Sequence, residues 1–302
     1  MLKFIIFLVL TALVSVSIAS ERIIVLNTNT NNGNAFVKAR SFAEDLKNLG
    51  YEVQFVSPGN TCQANAFLKT VPPNIPVFVN INVFQADALA GNIRNCSGLI
   101  VSEQDLIAVD LDHYYLCTVT QKDDPTALFR EGVEFRIGHN TPRGFWVPLL
   151  ETINSENNAN NRIIQYGGTG RQITAMTAGE LDYAIVSTSH TFNVEAKGAV
   201  CFAEFTKNEP LRYEHTVSDL SAGDADFDAP LVNSWALKNA TDKQVAKLRL
   251  EIRALFDDYD SNIIQALGGK TPIQDYGWDV SISERVNWVN DSLKIWTDAV
   301  RN

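Results

Sequence analysis

Short loops rich in Gly, Asn and Thr follow several apolar runs of this chain, and their composition is suited to holding an anion. Four such loops span residues 28–34, 80–84, 140–144 and 167–171. Each precedes a segment with helical spacing, so backbone N–H groups and the positive end of a helix dipole would be exposed together. Such groups can bind a carboxylate without a cationic side chain. The spacing therefore predicts an anion site built mainly from backbone.

Arg143 is the charged side chain best placed in these loops, because a guanidinium beside a helix start can bind a carboxylate through two parallel hydrogen bonds. The alternative for Arg143 is a solvent-facing side chain, and the alternative for the Asn, Gly and Thr residues is helix capping and turn formation. The candidate ligand-binding residues are Thr28, Asn29, Asn31, Asn32, Gly33, Asn80, Asn82, Thr141, Arg143, Gly144, Tyr166, Gly168, Thr169, Gly170 and Thr188.

Motifs for covalent or metal chemistry are not found in the sequence. It has no Gly-x-Ser-x-Gly nucleophile elbow, no His-Glu-x-x-His zinc motif, no Gly-x-x-x-x-Gly-Lys-Ser/Thr phosphate loop and no EF-hand pattern. The four histidines, His113, His139, His190 and His215, are scattered and are expected to be surface or satisfied core residues. We therefore expect a binding protein rather than an enzyme, with no cofactor and no metal.

Strands alternate with helices along the chain. The run RIIVLN from Arg22 is a predicted buried strand, and the segment after the first loop has apolar residues at helical spacing. Asn34 is the predicted N-cap of that helix and Gly50 its predicted stop. Further strand-like runs, YEVQFV and IPVFVN, follow. This order predicts an α/β fold in which a mostly parallel sheet is flanked by helices on both faces.

The same order of elements restarts near Glu134 and indicates a second α/β unit inserted into the first. Two apolar runs, HYYLCTV and GAVCFAEFT, bracket the insertion. We expect two lobes joined by two hinge crossings, with residues 21–114 and 207–302 in lobe 1 and residues 115–206 in lobe 2. The first 20 residues lie outside both lobes.

Residues 1–20 have the pattern of a secretory signal peptide, with one basic residue, an apolar run and small residues before the expected cut after Ala19 or Ser20. The apolar run is too short to span a bilayer comfortably. An exported chain with four cysteines is expected to contain disulfides. We expect Cys62 to pair with Cys96 and Cys117 with Cys201, with four free thiols as the alternative.

The charge balance excludes some partners. The 302-residue chain has 35 acidic and 25 basic side chains, a formal net charge of −10. A compact acidic surface repels phosphate backbones and anionic membranes, so binding to nucleic acid or to a lipid surface is disfavoured. The content of 45% hydrophobic and 20% charged residues is that of an ordinary globular protein.

One segment, RIIQYGGTGRQITAMTAGELDYAIVS, resembles the signature of the tripartite tricarboxylate transporter receptors, also called the Bug family of periplasmic solute-binding proteins. The matching positions are Tyr166, Gly168 and the run from Ala178 to Asp182. The segments IGHNTPRGFWVPLLETI and IIQALGGKTPIQDYGWDVSISERVNWVNDSLKIWTDAV are also similar to the family. The first loop departs from it, since NTNTNNGN keeps Gly33 but replaces the family's prolines and neighbouring glycine.

The resemblance implies a two-lobed type II periplasmic-binding-protein fold and a small carboxylated ligand held largely by backbone N–H groups and water. It also implies delivery to an integral-membrane permease from the periplasm. We expect a monomer that closes on a dicarboxylate, a tricarboxylate or an aromatic acid. The extra amides of the first loop would suit a more hydroxylated or amide-bearing acid. The alternatives are a secreted hydrolase on a two-lobed frame and a sensory module.

Overall fold

The computed structural model describes residues 20–29, 33–112, 114–119, 128, 130–139, 146–187, 190–205, 215–217, 231–267 and 280–301. Its strands are β1 (Arg22–Leu26), β2 (Glu52–Val56), β3 (Val77–Ile81), β4 (Leu106–Asp112), β5 (Tyr114–Thr118), β6 (Arg136–His139), β7 (Arg162–Gln165), β8 (Tyr183–Ser187), β9 (Val200–Glu204), β10 (His215–Thr216) and β11 (Leu231–Lys238). Its helices are α1 (Asn34–Asn48), α2 (Thr61–Thr70), α3 (Ala86–Leu89), α4 (Trp146–Glu156), α5 (Thr169–Thr177), α6 (Thr191–Glu195), α7 (Asp242–Asp257), α8 (Asn262–Ala266) and α9 (Ile282–Arg301), and a 3₁₀ turn spans Val83–Gln85.

The strands form two sheets, and each sheet has one reversed strand. The first has the order β2-β1-β3-β11-β4, with β11 antiparallel to both neighbours. The second has the order β10-β9-β5-β8-β6-β7, with β5 antiparallel to both neighbours. The remaining described pairs are parallel. The prediction of mostly parallel sheets is confirmed.

Helices cover both faces of the first sheet because successive residues of β1 point to opposite sides. Ile23 and Val25 pack with α1, α7 and α8, whereas Ile24 and Leu26 pack with the α9 side. A fully buried strand of this kind is the expected result of a continuous apolar run. The α1 side is the more aromatic, since the rings of Phe42 and Trp235 lie 4.6 Å apart.

The second sheet is covered in the same way. Leu150 and Ile153 of α4 pack on one face. Ile173 and Met176 of α5, with Val194 of α6, pack on the other. Each sheet therefore has a hydrophobic layer on both faces, as the alternation of strands and helices predicts.

The chain passes from one sheet to the other beside β4. β4 ends at Asp112 in the first sheet and β5 begins at Tyr114 in the second. β11 returns the chain to the first sheet, where Leu231 is the register partner of Asp112. The two routes between the sheets therefore meet β4 at the same end. The predicted lobe boundaries, at 114 and 206, stay a prediction.

Both predicted disulfides are confirmed. Cys62 of α2 is bonded to Cys96, and Cys117 of β5 is bonded to Cys201, its register partner on β9. Each bond joins elements that pack around a single sheet. Neither one connects the two sheets, so both bonds are compatible with a movement of one sheet against the other.

The ends of α1 show one correct and one wrong prediction. Gly50 stops the helix with a φ of 93°, a left-handed conformation that favours glycine. The N-cap is Gly33 and not Asn34, which is the first residue of the helix. The carbonyl of Gly33 accepts from the N–H groups of Phe36 and Val37. An Asn-rich run offers several similar caps, so its sequence fixes the helix start only within a residue.

Candidate functional site

The carboxyl ends of the parallel strands define one edge of each sheet, and most described candidate residues lie at these edges. In open α/β sheets, ligands bind outside the carboxyl ends of the strands. In the first sheet the edge contains the segments after β1 and β3. In the second it contains the last residues of β6 and β8 and the segment after β7. The described parts of the expected loops therefore follow the expected ends of their strands.

The segment after β1 is held by polar contacts within the first lobe. Thr28 is buried, its hydroxyl donates to the Asn80 carbonyl at 2.9 Å, and its carbonyl accepts from the Thr61 hydroxyl at 2.9 Å. Asn27 donates to the Asn29 carbonyl at 2.8 Å, and the Asn29 N–H donates back to the Asn27 side chain at 3.2 Å. These bonds fix the path of the backbone into the loop that precedes α1.

The two candidate asparagines near the end of β3 brace the same region. Asn80 lies inside the strand, and its side chain donates to the Ser234 carbonyl of β11 at 3.4 Å. Asn82 donates to the Asn80 side chain, and its oxygen accepts from the Phe84 N–H at 3.0 Å. Both side chains are buried. These bonds are to protein groups, so in this lobe the side-chain amides shape the loop.

The second lobe presents the loop between β7 and α5. Tyr166 is partly buried and its N–H donates to the His139 carbonyl at 2.7 Å. Gly168 is the N-cap of α5 with a φ of 129°, where a side chain would be strained. Thr169 is buried, whereas Gly170 is exposed and has open space beside it. The first turn of α5 is thus directed to the carboxyl edge of the sheet.

The position of α5 is fixed by one side chain and one missing side chain. The Gln172 amide donates to the carbonyls of Gly138 and Ile185, both at 2.7 Å, and so joins the helix to β6 and β8. A Cβ on Gly138 would lie 2.4 Å from Leu181 and 3.0 Å from Gln172. Glycine at this position therefore permits the close approach of the helix to the sheet.

Four buried polar residues at the second edge were not predicted as site residues. His139, Ser187 and Glu204 are the last residues of β6, β8 and β9, and His190 follows β8. The Ser187 hydroxyl and the His190 Nδ1 lie 3.3 Å apart. The sequence signal for all four is their place at or just after the end of an apolar run.

The remaining candidates lie outside the described residues. These are Asn31 and Asn32 of the first loop, Thr141, Arg143 and Gly144 of the loop after β6, and Thr188 after β8.

The residues that carry the family resemblance have a structural role in part. Asp182 precedes β8 at the opposite edge of the sheet, where it accepts from the Arg136 N–H at 2.9 Å and from its Nε at 3.1 Å. That hydrogen bond and the charge of Asp182 raise the pKa of the Arg136 guanidinium. Gly179 makes the preceding turn with a φ of 76°. This part of the motif joins α5 to β8, away from the proposed ligand.

Among the described residues, no three His, Cys, Asp or Glu side chains are grouped so that they could share a metal ion. Within the same residues, no helix combines the length and the hydropathy that a membrane span requires.

Solved structures with the same arrangement of sheets and helices are solute-binding proteins. MatC from Rhodopseudomonas palustris, with bound malate, is 13% identical, with a TM-score of 0.59 over 93% of this chain and 98% of that chain. Another R. palustris protein, with adipate, is 15% identical, with a TM-score of 0.62 over 93% and 96% of the two chains. A TctC solute-binding protein from Polaromonas is 12% identical, with a TM-score of 0.55 over 93% and 97%.

The chain has the two-lobed α/β fold of these proteins. The predicted fold class is confirmed, and the similarity extends over nearly the whole of both chains. No protein-family model and no curated protein sequence matches the chain. The likeness is therefore one of fold, carried by the order of strands and helices in both lobes rather than by overall sequence identity.

Proposed function

We propose that this protein is an extracytoplasmic receptor that captures a small organic carboxylate by closing its two lobes around it. It would then deliver the acid to a tripartite tricarboxylate-type membrane permease. The observation that supports the proposal is that described polar segments of both lobes follow the carboxyl ends of parallel strands, within a fold shared with proteins solved with malate and adipate.

The first lobe would contribute mainly backbone. Its described amide and hydroxyl side chains make contacts within the lobe, and those contacts hold the path of residues 27–29 and the start of α1. Free N–H groups in the first turn of a helix attract a carboxylate, and the helix dipole adds to that attraction. The proposed contacts from this lobe are Thr28, Asn29, Asn31, Asn32, Gly33, Asn80 and Asn82.

The second lobe would contribute both backbone and side chains. The turn from Tyr166 to Gly170 offers the start of α5, and His190 places an imidazole beside Ser187 at the end of β8. An imidazole can donate a hydrogen bond to a carboxylate in either charge state. The further proposed contacts from this lobe are Thr141, Arg143, Gly144 and Thr188.

The proposed location and partner follow from the same function. Two disulfides require an oxidising compartment, which agrees with cleavage of the signal peptide after Ala19 or Ser20 and with export to the periplasm. A receptor of this kind would act as a monomer and meet its permease in the closed state, because closure changes the surface that both lobes present.

A thermal-shift screen of the mature chain tests the proposal. The panel contains malate, adipate, citrate and an aromatic acid, with glucose as an uncharged comparator and glutamine as a zwitterion without net charge. A ligand at about 100 times its dissociation constant stabilises the folded state by about 2.7 kcal/mol. We expect at least one acid to raise the melting temperature. A shift with glucose or glutamine and with no acid would contradict the proposal.

Gly168 offers a variant directed at the proposed site. A side chain at its φ of 129° costs about 1–3 kcal/mol of strain and shifts the first turn of α5. Gly168→Ala is therefore expected to weaken acid binding, and Arg143→Ala to weaken it through a lost charge. Unchanged affinity in both variants would place the ligand away from the second lobe's loops.

A second candidate function rests on the contact between Ser187 and His190. A buried hydroxyl 3.3 Å from an imidazole is the start of a nucleophile and base pair, as in a hydrolase. Incubation of the chain with esters of the acids in the panel separates the two functions. Turnover that Ser187→Ala abolishes would favour the hydrolase, whereas binding without turnover would favour the receptor.

A further inference from the structure

A buried carboxylate in the first lobe binds three side chains from two other elements. Asp110 of β4 forms an ion pair with Lys38 of α1, through its Oδ1. The same oxygen accepts from Asn233 of β11 at 3.2 Å, and its Oδ2 accepts from the Trp235 indole N–H at 2.7 Å. Asp110 and Trp235 are fully buried, and Lys38 is only 1% exposed. We refer to these four residues as the Asp110 cluster.

The Asp110 cluster joins α1 to β4 and β11, the two strands next to the crossings between the sheets. Asp110 is the third residue from the end of β4, and β5 of the other sheet begins at Tyr114. Asn233 is its register partner and the third residue of β11, the strand that returns from the second lobe. Lys38 is in the second turn of α1, the helix that follows the proposed ligand loop. One carboxylate therefore joins the helix at the site to the strands of both crossings.

Stability alone is a weak reason for this arrangement. Taking two charges out of water costs much of what their attraction returns, and apolar residues of similar volume often replace a buried ion pair without loss. The aromatic layer of Phe42, Phe78 and Trp235 already fills the same face of the sheet. What the charges add is direction, because the ammonium, the indole and the amide must each meet a lone pair of one carboxylate.

We propose that Asp110 is a positioning residue for ligand capture. It holds the start of α1 in a fixed relation to the two strands that lead into the second lobe, so that the loop before α1 meets the ligand when the lobes close. The proposal rests on the proposed receptor function. It gives Asp110 no contact with the ligand and assigns its effect to Lys38, Asn233 and Trp235.

The chain offers a matched control in the same sheet. Lys238, the last residue of β11, forms an ion pair with Asp105, which directly precedes β4. The two side chains are 21% and 15% exposed. This second pair therefore joins the same two strands at their other end, away from both crossings and from α1.

The test compares two neutral double variants, Lys38→Gln with Asp110→Asn and Lys238→Gln with Asp105→Asn. Both keep hydrogen-bonding groups and remove both charges, so neither leaves a lone charge buried. Hydrogen exchange is measured without ligand. Affinity is measured by calorimetry with whichever probe of malate, adipate, citrate, glucose or glutamine binds the wild type.

We expect the Lys38→Gln/Asp110→Asn variant, called the Asp110 variant below, to speed amide exchange in the first two turns of α1 and at the start of β11. We also expect it to weaken binding by about tenfold or more. The control variant is expected to stay within about twofold of wild type in affinity. The single variant Lys38→Arg retains the ion pair and is expected to keep most of the wild-type affinity. If the Lys38→Gln/Asp110→Asn variant does not fold, Asn233→Ala takes its place in both measurements, because it removes one donor from the same carboxylate.

Unchanged affinity in the Asp110 variant, or equal loss in the control variant, overturns the positioning role. Unchanged exchange at the start of α1 overturns it as well, whatever ligand binds. A failure of the proposed function looks different, because then a neutral probe binds the wild type and no acid does.

Discussion

The two lobes have the same architecture but different chemistry at the edges that face the proposed ligand. In the first lobe, Thr28, Asn80 and Asn82 are neutral and bind one another or the backbone around them. In the second lobe, His139, Ser187, His190 and Glu204 occupy the corresponding strand ends. These three first-lobe residues are neutral, whereas the second lobe presents imidazole and carboxyl groups at or just after its strand ends.

This difference suggests a division of work between the lobes. A network of neutral side chains fixes a backbone path, and its contribution to a ligand is then made by N–H groups that recognise a carboxylate of almost any shape. Imidazole and carboxyl groups distinguish ligands by charge and by the position of a donor. We expect the first lobe to determine that an acid is bound and the second to determine which acid.

The disulfides give the largest expected effects on stability in both lobes. The Cys117–Cys201 bond closes a sequence separation of 84 residues, against 34 for Cys62–Cys96. In the chain-entropy account, removing the first costs about 4–5 kcal/mol and removing the second about 4 kcal/mol. Denaturant unfolding of the two Cys→Ala double variants measures both values. A larger loss from the Cys62–Cys96 variant would contradict this order.

The packing of α5 is the next test, and it concerns the second lobe alone. Gly138→Ala places a Cβ against Leu181 and is expected to lower the free energy of unfolding by about 1–3 kcal/mol. Gly170→Ala is the control on α5 itself, where the added methyl meets open space and a gain of about 0.5–1 kcal/mol is expected. An equal loss of stability in the two variants would show that the contact of the added Cβ with Leu181 is not the cause of the loss in Gly138→Ala.

A pair of variants separates frame from recognition. Thr28→Val leaves the Asn80 carbonyl without the Thr28 donor and is expected to cost about 1–3 kcal/mol of stability, with a loss of affinity smaller than that of His190→Ala. His190→Ala is expected to weaken acid binding by about tenfold, or about 1.4 kcal/mol, with a smaller change in stability. Calorimetry and thermal unfolding of both variants give the comparison. The reverse pattern would exchange the roles of the two lobes.

Two buried tyrosines, one in each lobe, give the smallest effect. Burial raises the pKa of both Tyr51 and Tyr183 to about 12, with further contributions from Glu251 and Asp182 respectively. The stability that these raised pKa values contribute is fully present below the unfolded pKa of about 10 and is lost as pH rises through about 12. Tyr51→Phe removes a hydrogen bond to Glu251, worth about 1 kcal/mol at neutral pH, and flattens the alkaline fall in stability. An unchanged alkaline profile would contradict the Tyr51 assignment.

The fold was largely predictable because its signals are local. Among the described residues, the predicted apolar runs and amphipathic segments correspond to strands and helices, and the Cys117–Cys201 pair follows from the two apolar runs that contain it. Cys117 and Cys201 are in apolar runs that pair as β5 and β9. The wrong N-cap has a local cause too, since Gly33 and Asn34 are adjacent residues that can both cap a helix.

The site was less predictable because it depends on which strands become neighbours. Lys38 and Asp110 are 72 residues apart in sequence, and only the insertion of β11 beside β4 brings Asn233 to the same carboxylate. His139, Ser187 and Glu204 meet one edge because β6, β8 and β9 run in the same direction. Strand order of this kind is set by packing of the whole lobe and leaves no mark within one loop.

Small-angle X-ray scattering of the mature chain, with and without saturating acid, tests the central claim most directly. Capture by lobe closure predicts a smaller radius of gyration with the acid that the thermal-shift screen identifies, and no change with glucose or glutamine. The same radius of gyration with every acid of the panel, or a contraction with glucose alone, would contradict the account.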